Sequence, residues 1–371
     1  MKTWRKIRLG DACKTNMYSY SPKENWNFVN YLDTGNITDN KIDSIQYIDI
    51  VNEKLPSRAR RKVKKDSIIY STVRPNQHHF GIIKSQPENF LVSTGFAVID
   101  TDSKVLDADF LYYLLTQSTV VESLHAIAEQ STSAYPSIKP SDIENLEIEI
   151  PDIATQKKIA DVLFSLDKKI AQNMEINKNL EEQAATLFSE NYFNRNYNVS
   201  KLEDIATIKY GKGLPTKKLT PKGFPVFGGN GVIGKYIHFM YDEPQILVSC
   251  RGAASGNIIE TYPNSFVTNN SLVLEWNDYR YYEFYKQFLF ANPLHTYATG
   301  SAQPQITIDN IKNVPFPCPK YDEIRELCSQ LKSISALHFE NIVESNKLSM
   351  LRDTLLPKLI SGELDVSNLD I

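Results

Sequence analysis

Cysteine is scarce: Cys13, Cys250, Cys318 and Cys328 are the four in 371 residues, far apart and without a CxxC pair. That spacing argues against a zinc site and against a disulfide framework, and leaves buried free thiols as the expectation. Histidine is nearly as sparse, with six in all. The one adjacent pair, His78 and His79, would point to opposite faces of a strand and so share no metal. No apolar run approaches the roughly 18 residues that cross a bilayer, and the polar opening "MKTWRKIRLGD" lacks the apolar core of a signal peptide, so a cytoplasmic location is expected. No excess of either charge stands out: 41 Lys and Arg face 44 Asp and Glu, a net charge of -3. A nucleic-acid partner would therefore need local basic clusters rather than a basic chain. What is present is an unbiased composition, 42% hydrophobic and 23% charged, with length for two globular domains.

The chain repeats itself. "SAYPSIKPSDIENLEIEIP" from Ser133 recurs as "SAQPQITIDNIKNVPFPCP" from Ser301, at a constant offset and without a gap. Looser correspondences precede it, namely "KIRLGDAC" with "VSKLEDIA", "IIYSTVR" with "ILVSCR", and "LVSTGFAVID" with "FVTNNSLVLE". Short β-type runs broken by Gly, Pro, Asn and Asp fill both halves.

Each repeated segment leads into a helical pattern at the same offset. Ile159, Leu163, Leu166, Ile170, Asn173, Asn177, Leu180, Ala184 and Leu187 alternate by four and three residues, the spacing of a coiled-coil seam. Leu327, Leu331, Ile334, His338, Asn341, Ser345, Leu348, Arg352 and Leu355 repeat it. An antiparallel pairing would bring Asn173 and Asn177 to Asn341 and Ser345, where polar partners satisfy one another and penalise slipped registers. The expected fold is mixed α/β (α+β): two similar globular domains, 1–151 and 196–319, alternate with two long helices, 152–195 and 320–371 with its tail. The helices pair as an antiparallel coiled coil, and the whole carries an internal pseudo-two-fold repeat.

This layout resembles the specificity (S) subunit of type I DNA restriction-modification systems. The likeness rests on the paired SA-x-P-x-I segments, the Pro-terminated strand entering a Gln-containing helix start in "IPDIATQKKIADVLFSLDKKI", and the ending "LLPKLISGELDV". It implies that each globular unit is a target-recognition domain reading one half of a bipartite, asymmetric site in double-stranded DNA. It also implies that the helices set the spacing and dock two methyltransferase subunits, with restriction subunits joining that core. S-adenosylmethionine, ATP and Mg2+ are then expected on partner subunits, and no cofactor on this chain. A helix from Thr155 to Asn191 would be roughly 55 Å long, against roughly 34 Å per turn of DNA.

Candidate DNA contacts follow from residue chemistry. "KLPSRARRKVKK" carries Arg58, Arg60, Arg61, Lys62 and Lys64 with no acid, and "KYGKGLPTKKLTPK" carries Lys212, Lys217 and Lys218. Such clusters neutralise phosphate whatever the net charge. Arg reads guanine, and Asn or Gln reads adenine. Arg74, Asn76 and Gln77 therefore stand out in "VRPNQHHFG", and Arg251, Asn269 and Asn270 in the second half. Ser133, Tyr135, Ser301 and Gln303 in the repeated segments could position the domains on phosphate, or simply form turns.

No adenine-methyltransferase tetrapeptide, complete Walker A or helicase motif series is found, so the expectation is a chain without catalysis of its own. "FGGNGVIGKY" approaches a dinucleotide fingerprint and a P-loop across Gly229–Gly234. It continues as a β pattern, has no acid about 20 residues on, and places Tyr236 where a P-loop needs Ser or Thr. A turn between strands, with Asn230 at its tip and its backbone open to phosphate, fits better. Two alternatives stay open here: a duplicated coiled-coil scaffold without DNA, and a nucleotide-dependent enzyme using that loop.

Overall fold

The structure, a computed structural model, describes residues 4–131, 135–192, 196–300 and 303–366. It divides into two compact units, Met1–Ile170 with Asn346–Ile371, and Ala171–Ser345. Two long helices, Ile153–Tyr192 and Tyr321–Ile360, each give one part to each unit.

In the first unit, an antiparallel sheet is ordered Cys13–Thr15, Phe96–Thr101, Ile68–Ser71, Phe80–Ile82. Its two central strands are buried almost throughout, which is why they read as continuous apolar runs and not as alternations. A second sheet runs Gln46–Asp49, Phe28–Leu32, Phe90–Ser93, Ala59–Arg61, its middle pair parallel. The strand Glu147–Ile150 alternates exposed Glu with buried Ile and pairs with Arg5–Arg8. The helix Ala108–Leu115 packs on the long helices. Tyr113 Oη donates to Asp167 Oδ2 at 2.7 Å, and Arg352 Nη1 donates to Asp167 Oδ1 at 2.7 Å. Ile159, Leu163, Leu359 and Ile360 from the long helices share one core with Phe110 and Leu111.

The glutamine at the start of the first long helix is fully buried. Gln156 Nε2 donates to the carbonyls of Pro151 (2.9 Å) and Val105 (3.1 Å), while its Oε1 accepts from Asp107 N (2.9 Å). One side chain thereby satisfies three backbone groups that burial would otherwise leave unpaired.

The second unit repeats the topology. Its antiparallel sheet runs Ala206–Tyr210, Ser271–Trp276, Ile246–Ser249, Ile258–Glu260. Phe224–Gly228 and Phe266–Val267 form the parallel pair that corresponds to Phe28–Leu32 and Phe90–Ser93. Asn198–Lys201 lies beside Pro315–Cys318 as Arg5–Arg8 lies beside Glu147–Ile150. The helix Tyr282–Ala291 is tied to the second long helix by a buried ionic cluster. Lys286 Nζ reaches Glu283 Oε2 (2.7 Å), Glu260 Oε1 (3.0 Å) and Ser335 Oγ (2.6 Å), and its side chain is 3% exposed. Ser335 is the counterpart of Asp167 at the offset of the repeat, so the same helix position anchors the globular part in both units by different chemistry.

Within the second unit the long helices run antiparallel. Asn173 is buried, and its Nδ2 donates to Glu344 Oε2 (2.7 Å), Ser345 Oγ (3.3 Å) and Asn341 O (3.5 Å). Asn341 Nδ2 donates to Asn177 Oδ1 (2.8 Å), and Asn177 Nδ2 to His338 O (3.1 Å). Leu180 and Leu331 are buried, and Ile334 half-buried, on one side of this polar layer. In the first unit Leu163 is buried, with Leu166 and Leu348 half-buried. The four cysteines are free, and burial pushes the Cys13 thiol up to about 12.

Candidate nucleic-acid interface

Loops cluster where the central strands end. In the first unit the strand Ile68–Ser71 passes into a corner clamped by the repeated Pro segment. Ile138 N donates to Thr72 O (2.8 Å), Val73 bridges Ser137, and Arg74 N donates to Pro136 O (2.9 Å). A single 3-10 turn, Pro75–Gln77, follows. Pro75 is buried, while Arg74, Asn76 and Gln77 stand exposed. The Arg74 guanidinium lies over the ring of Tyr135, 5.2 Å from its centroid. His78 faces Asp39 (3.0 Å) and His79 faces the Ile37 carbonyl (2.7 Å), so the adjacent histidines take different partners. Among the described residues no three His, Cys, Asp or Glu converge to hold a metal ion.

The second unit builds the same corner. Ile306 N donates to Cys250 O (3.1 Å), Arg251 bridges Gln305, and Gly252 N donates to Pro304 O (3.0 Å). Pro304 is the counterpart of Pro136 at the offset of the repeat, so Gly252, and not Arg251, is the counterpart of Arg74. The correspondence of "IIYSTVR" with "ILVSCR" is therefore corrected at its end: Val73 matches Arg251. Arg251, Asn269, Asn270 and Gln303 are all exposed. Ser133 and Ser301 lie outside the described residues.

The basic clusters differ in place and in freedom. Arg58, Arg60 and Lys64 are exposed, but Arg61 and Lys62 are half-buried. Burial pulls the Arg61 guanidinium below its ordinary value, and its Nε has no hydrogen-bond partner. Lys62 is engaged by Glu24 and sits 5.1 Å from the Trp26 ring centroid. Lys64 lies 3.7 Å from Asp100. In the second unit Lys212, Lys217 and Lys218 are exposed on the segment after the strand Ala206–Tyr210. The first cluster instead spans the edge strand Ala59–Arg61 and its two flanks, so the two do not occupy equivalent positions in the repeat.

The glycine-rich stretch is a β-hairpin. Phe224–Gly228 pairs antiparallel with Gly231–Tyr236, and the half-buried Gly229 and exposed Asn230 form its turn. Gly231 and Gly234 have φ of 105° and 155°, which L side chains rarely adopt. No helix opens after the glycines, so the N-terminal dipole that holds a dinucleotide or a P-loop phosphate is missing from this loop. Val232 and Ile233 beside the tip are 50% and 45% exposed. Apolar groups so placed can contact thymine methyls. Reasoning from donors and charges misses them, although two β-branched residues on a glycine-rich hairpin are a signal present in the sequence.

Comparison with known proteins agrees over nearly the whole chain. A sequence model of the Type I restriction modification DNA specificity domain matches residues 1–182 and again 194–347. The Type I restriction enzyme HindI specificity subunit of Haemophilus influenzae is 33% identical over 191 residues, which are 51% of this chain and 40% of that protein. The Type I restriction enzyme MjaIX specificity subunit of Methanocaldococcus jannaschii is 25% identical across 99% of this chain and 95% of that one. The crystal structure of a type I restriction-modification system S subunit from M. genitalium has the same fold, with a TM-score of 0.58 at 20% identity over 96% of each chain.

Proposed function

Because the chain belongs to the type I restriction-modification DNA specificity family, as a specificity subunit with two repeated recognition domains, we propose that each domain reads one half of a bipartite, asymmetric target in double-stranded DNA. The observation that carries this is the clamped corner present in both units. It places Arg74, Asn76 and Gln77 in one unit, and Arg251 in the other, on exposed loops beyond equivalent strands. Positioning falls to backbone contacts from Arg58, Arg60 and Lys64, and from Lys212, Lys217 and Lys218. Specificity falls to the corner loops, with Asn230, Asn269 and Asn270 near the second.

The chain itself catalyses nothing in this reading. The paired long helices set the spacing between half-sites and dock two methyltransferase subunits, and restriction subunits complete the complex in the cytoplasm. S-adenosylmethionine, ATP and Mg2+ belong to those partners. Two short half-sites at a fixed spacing multiply specificity without one large interface. Sequencing genomic methylation before and after deletion of the gene tests the reading: loss of one bipartite motif is expected. An unchanged methylation pattern in a strain whose system is expressed would leave a scaffold role instead.

A further inference from the structure

Arg74 occupies a backbone position that its counterpart gives to glycine. Its φ and ψ are 48° and 68°, in the left-handed region that residues other than Gly and Asn rarely visit. Gly252, held by the same hydrogen bond to the repeated proline, has φ of 73°. A Cβ built on Gly252 meets no atom within 4 Å, so crowding does not select the glycine there and conformation does. In the first unit a long cationic side chain is retained against that preference. Strain of this kind clusters at functional sites.

The residue beneath changes together with it. Tyr135, whose exposed ring lies under the Arg74 guanidinium, has Gln303 as its counterpart in the second unit. Arginine and tyrosine are thus present together in one unit and absent together in the other. The second unit carries its own arginine one residue earlier, on the extended backbone of Arg251, with φ -141° and ψ 143°. The two corners therefore project their arginines in different directions from the same scaffold. A guanidinium restrained over an aromatic ring by cation–π attraction presents a planar fork of donors, which suits the paired acceptors of guanine O6 and N7 better than a lone phosphate oxygen.

We propose that Arg74 is a specificity-determining residue of the first recognition domain, directed at a guanine in the half-site which that domain reads. The proposal rests on the DNA-reading role argued above. The test uses the complex of the full chain with its methyltransferase partner, expressed in a host without other DNA methylation. Genomic methylation is sequenced for the wild type, Arg74→Gly and Arg74→Lys. Arg74→Gly should fold at least as well as the wild type, because the corresponding glycine already sits in this corner in the second unit. Methylation of the wild-type motif should fall about tenfold or more, within the range expected for removing one bidentate pair. Any surviving methylation should lose its preference at one guanine position, in one half only. Arg74→Lys, which keeps the charge but not the fork, should fail to restore it.

Full recovery by Arg74→Lys would mean a phosphate contact and would overturn the proposal. So would a wild-type motif methylated at undiminished efficiency by Arg74→Gly, with the DNA-reading role left intact. A wild-type complex that methylates no bipartite motif would overturn that role, and this inference with it.

Discussion

Replacing Lys286 by methionine removes the ammonium that joins Glu260 and Glu283. The Lys286 side chain is 3% exposed, against 28% for Glu260 and 12% for Glu283, so water can do little to replace it. Burial by itself lowers the lysine pKa, but the two carboxylates and their hydrogen bonds outweigh it and the net shift is upward. Breaking such a pair leaves uncompensated buried charge, and the expected cost is about 3–5 kcal/mol. Urea unfolding followed by Trp276 fluorescence reads it directly. That ring lies 4.6 Å from Tyr285, next to Lys286, and a Trp4→Phe, Trp26→Phe background removes the other two tryptophans. Adding Glu260→Gln and Glu283→Gln to Lys286→Met should recover most of the loss. The pH dependence has a definite sign. A raised folded pKa means the stabilisation is complete below the ordinary lysine value of ~10.4 and fades as pH rises through the folded one. The gap between wild type and Lys286→Met should therefore be full at neutral pH and close in strong alkali. A loss under about 1 kcal/mol, the size of an exposed ion pair, would refute the reasoning, as would a gap that widens with pH.

Gln156→Leu should destabilise the first unit by roughly 2–4 kcal/mol, since Asp107 N–H and the Val105 and Pro151 carbonyls lose their partner, with chemical denaturation of the full chain as the check. Asn173→Asp sets a second carboxylate against Glu344, 2.7 Å away, and should cost about 3 kcal/mol in the same measurement. Asn173→Leu removes the Nδ2 bonds together with a buried Oδ1 that has no partner, so the two effects offset and it should lower the melting temperature less than Asn173→Asp does. Neutralising Arg58, Arg60 and Lys64 together should weaken DNA binding across sequences and flatten the plot of log affinity against log salt by up to about 3, or ~0.9 for each phosphate no longer neutralised. Arg61→Gln should change that slope little, because its guanidinium is half-buried.

The helical seam was legible because its period and its constant offset are local properties of sequence. Asn173 meets Ser345 and Asn341 as an antiparallel register requires, and the expected helix from Thr155 to Asn191 extends over Ile153–Tyr192. The glycine-rich hairpin was legible for a similar reason, since β-branched residues after the glycines exclude a helix start. The corner loops were legible only to within one residue. "STVR" and "SCR" differ by one residue, and matching arginine to arginine hides that the clamped position is Arg74 in one half and Gly252 in the other. The basic clusters looked like a repeated feature because each half has one, although strand order places them in unequal positions. Within the first cluster, sequence alone did not show that Arg61 and Lys62 turn toward the protein. The Lys286 cluster was not legible at all. It is assembled from residues 260, 283, 286 and 335, and neither periodicity nor spacing brings three separate segments together.

Exchanging the first globular domain tests the central claim most directly. Residues 1–151 would be replaced by the corresponding domain of another specificity subunit with a known target, and genomic methylation sequenced in cells that also carry the methyltransferase. Two independent half-site readers on a helical spacer predict a hybrid motif: one half becomes that of the donor, while the other half and the spacing stay those of this chain. A motif changed in both halves, or one left entirely unchanged by the exchange, would contradict the account.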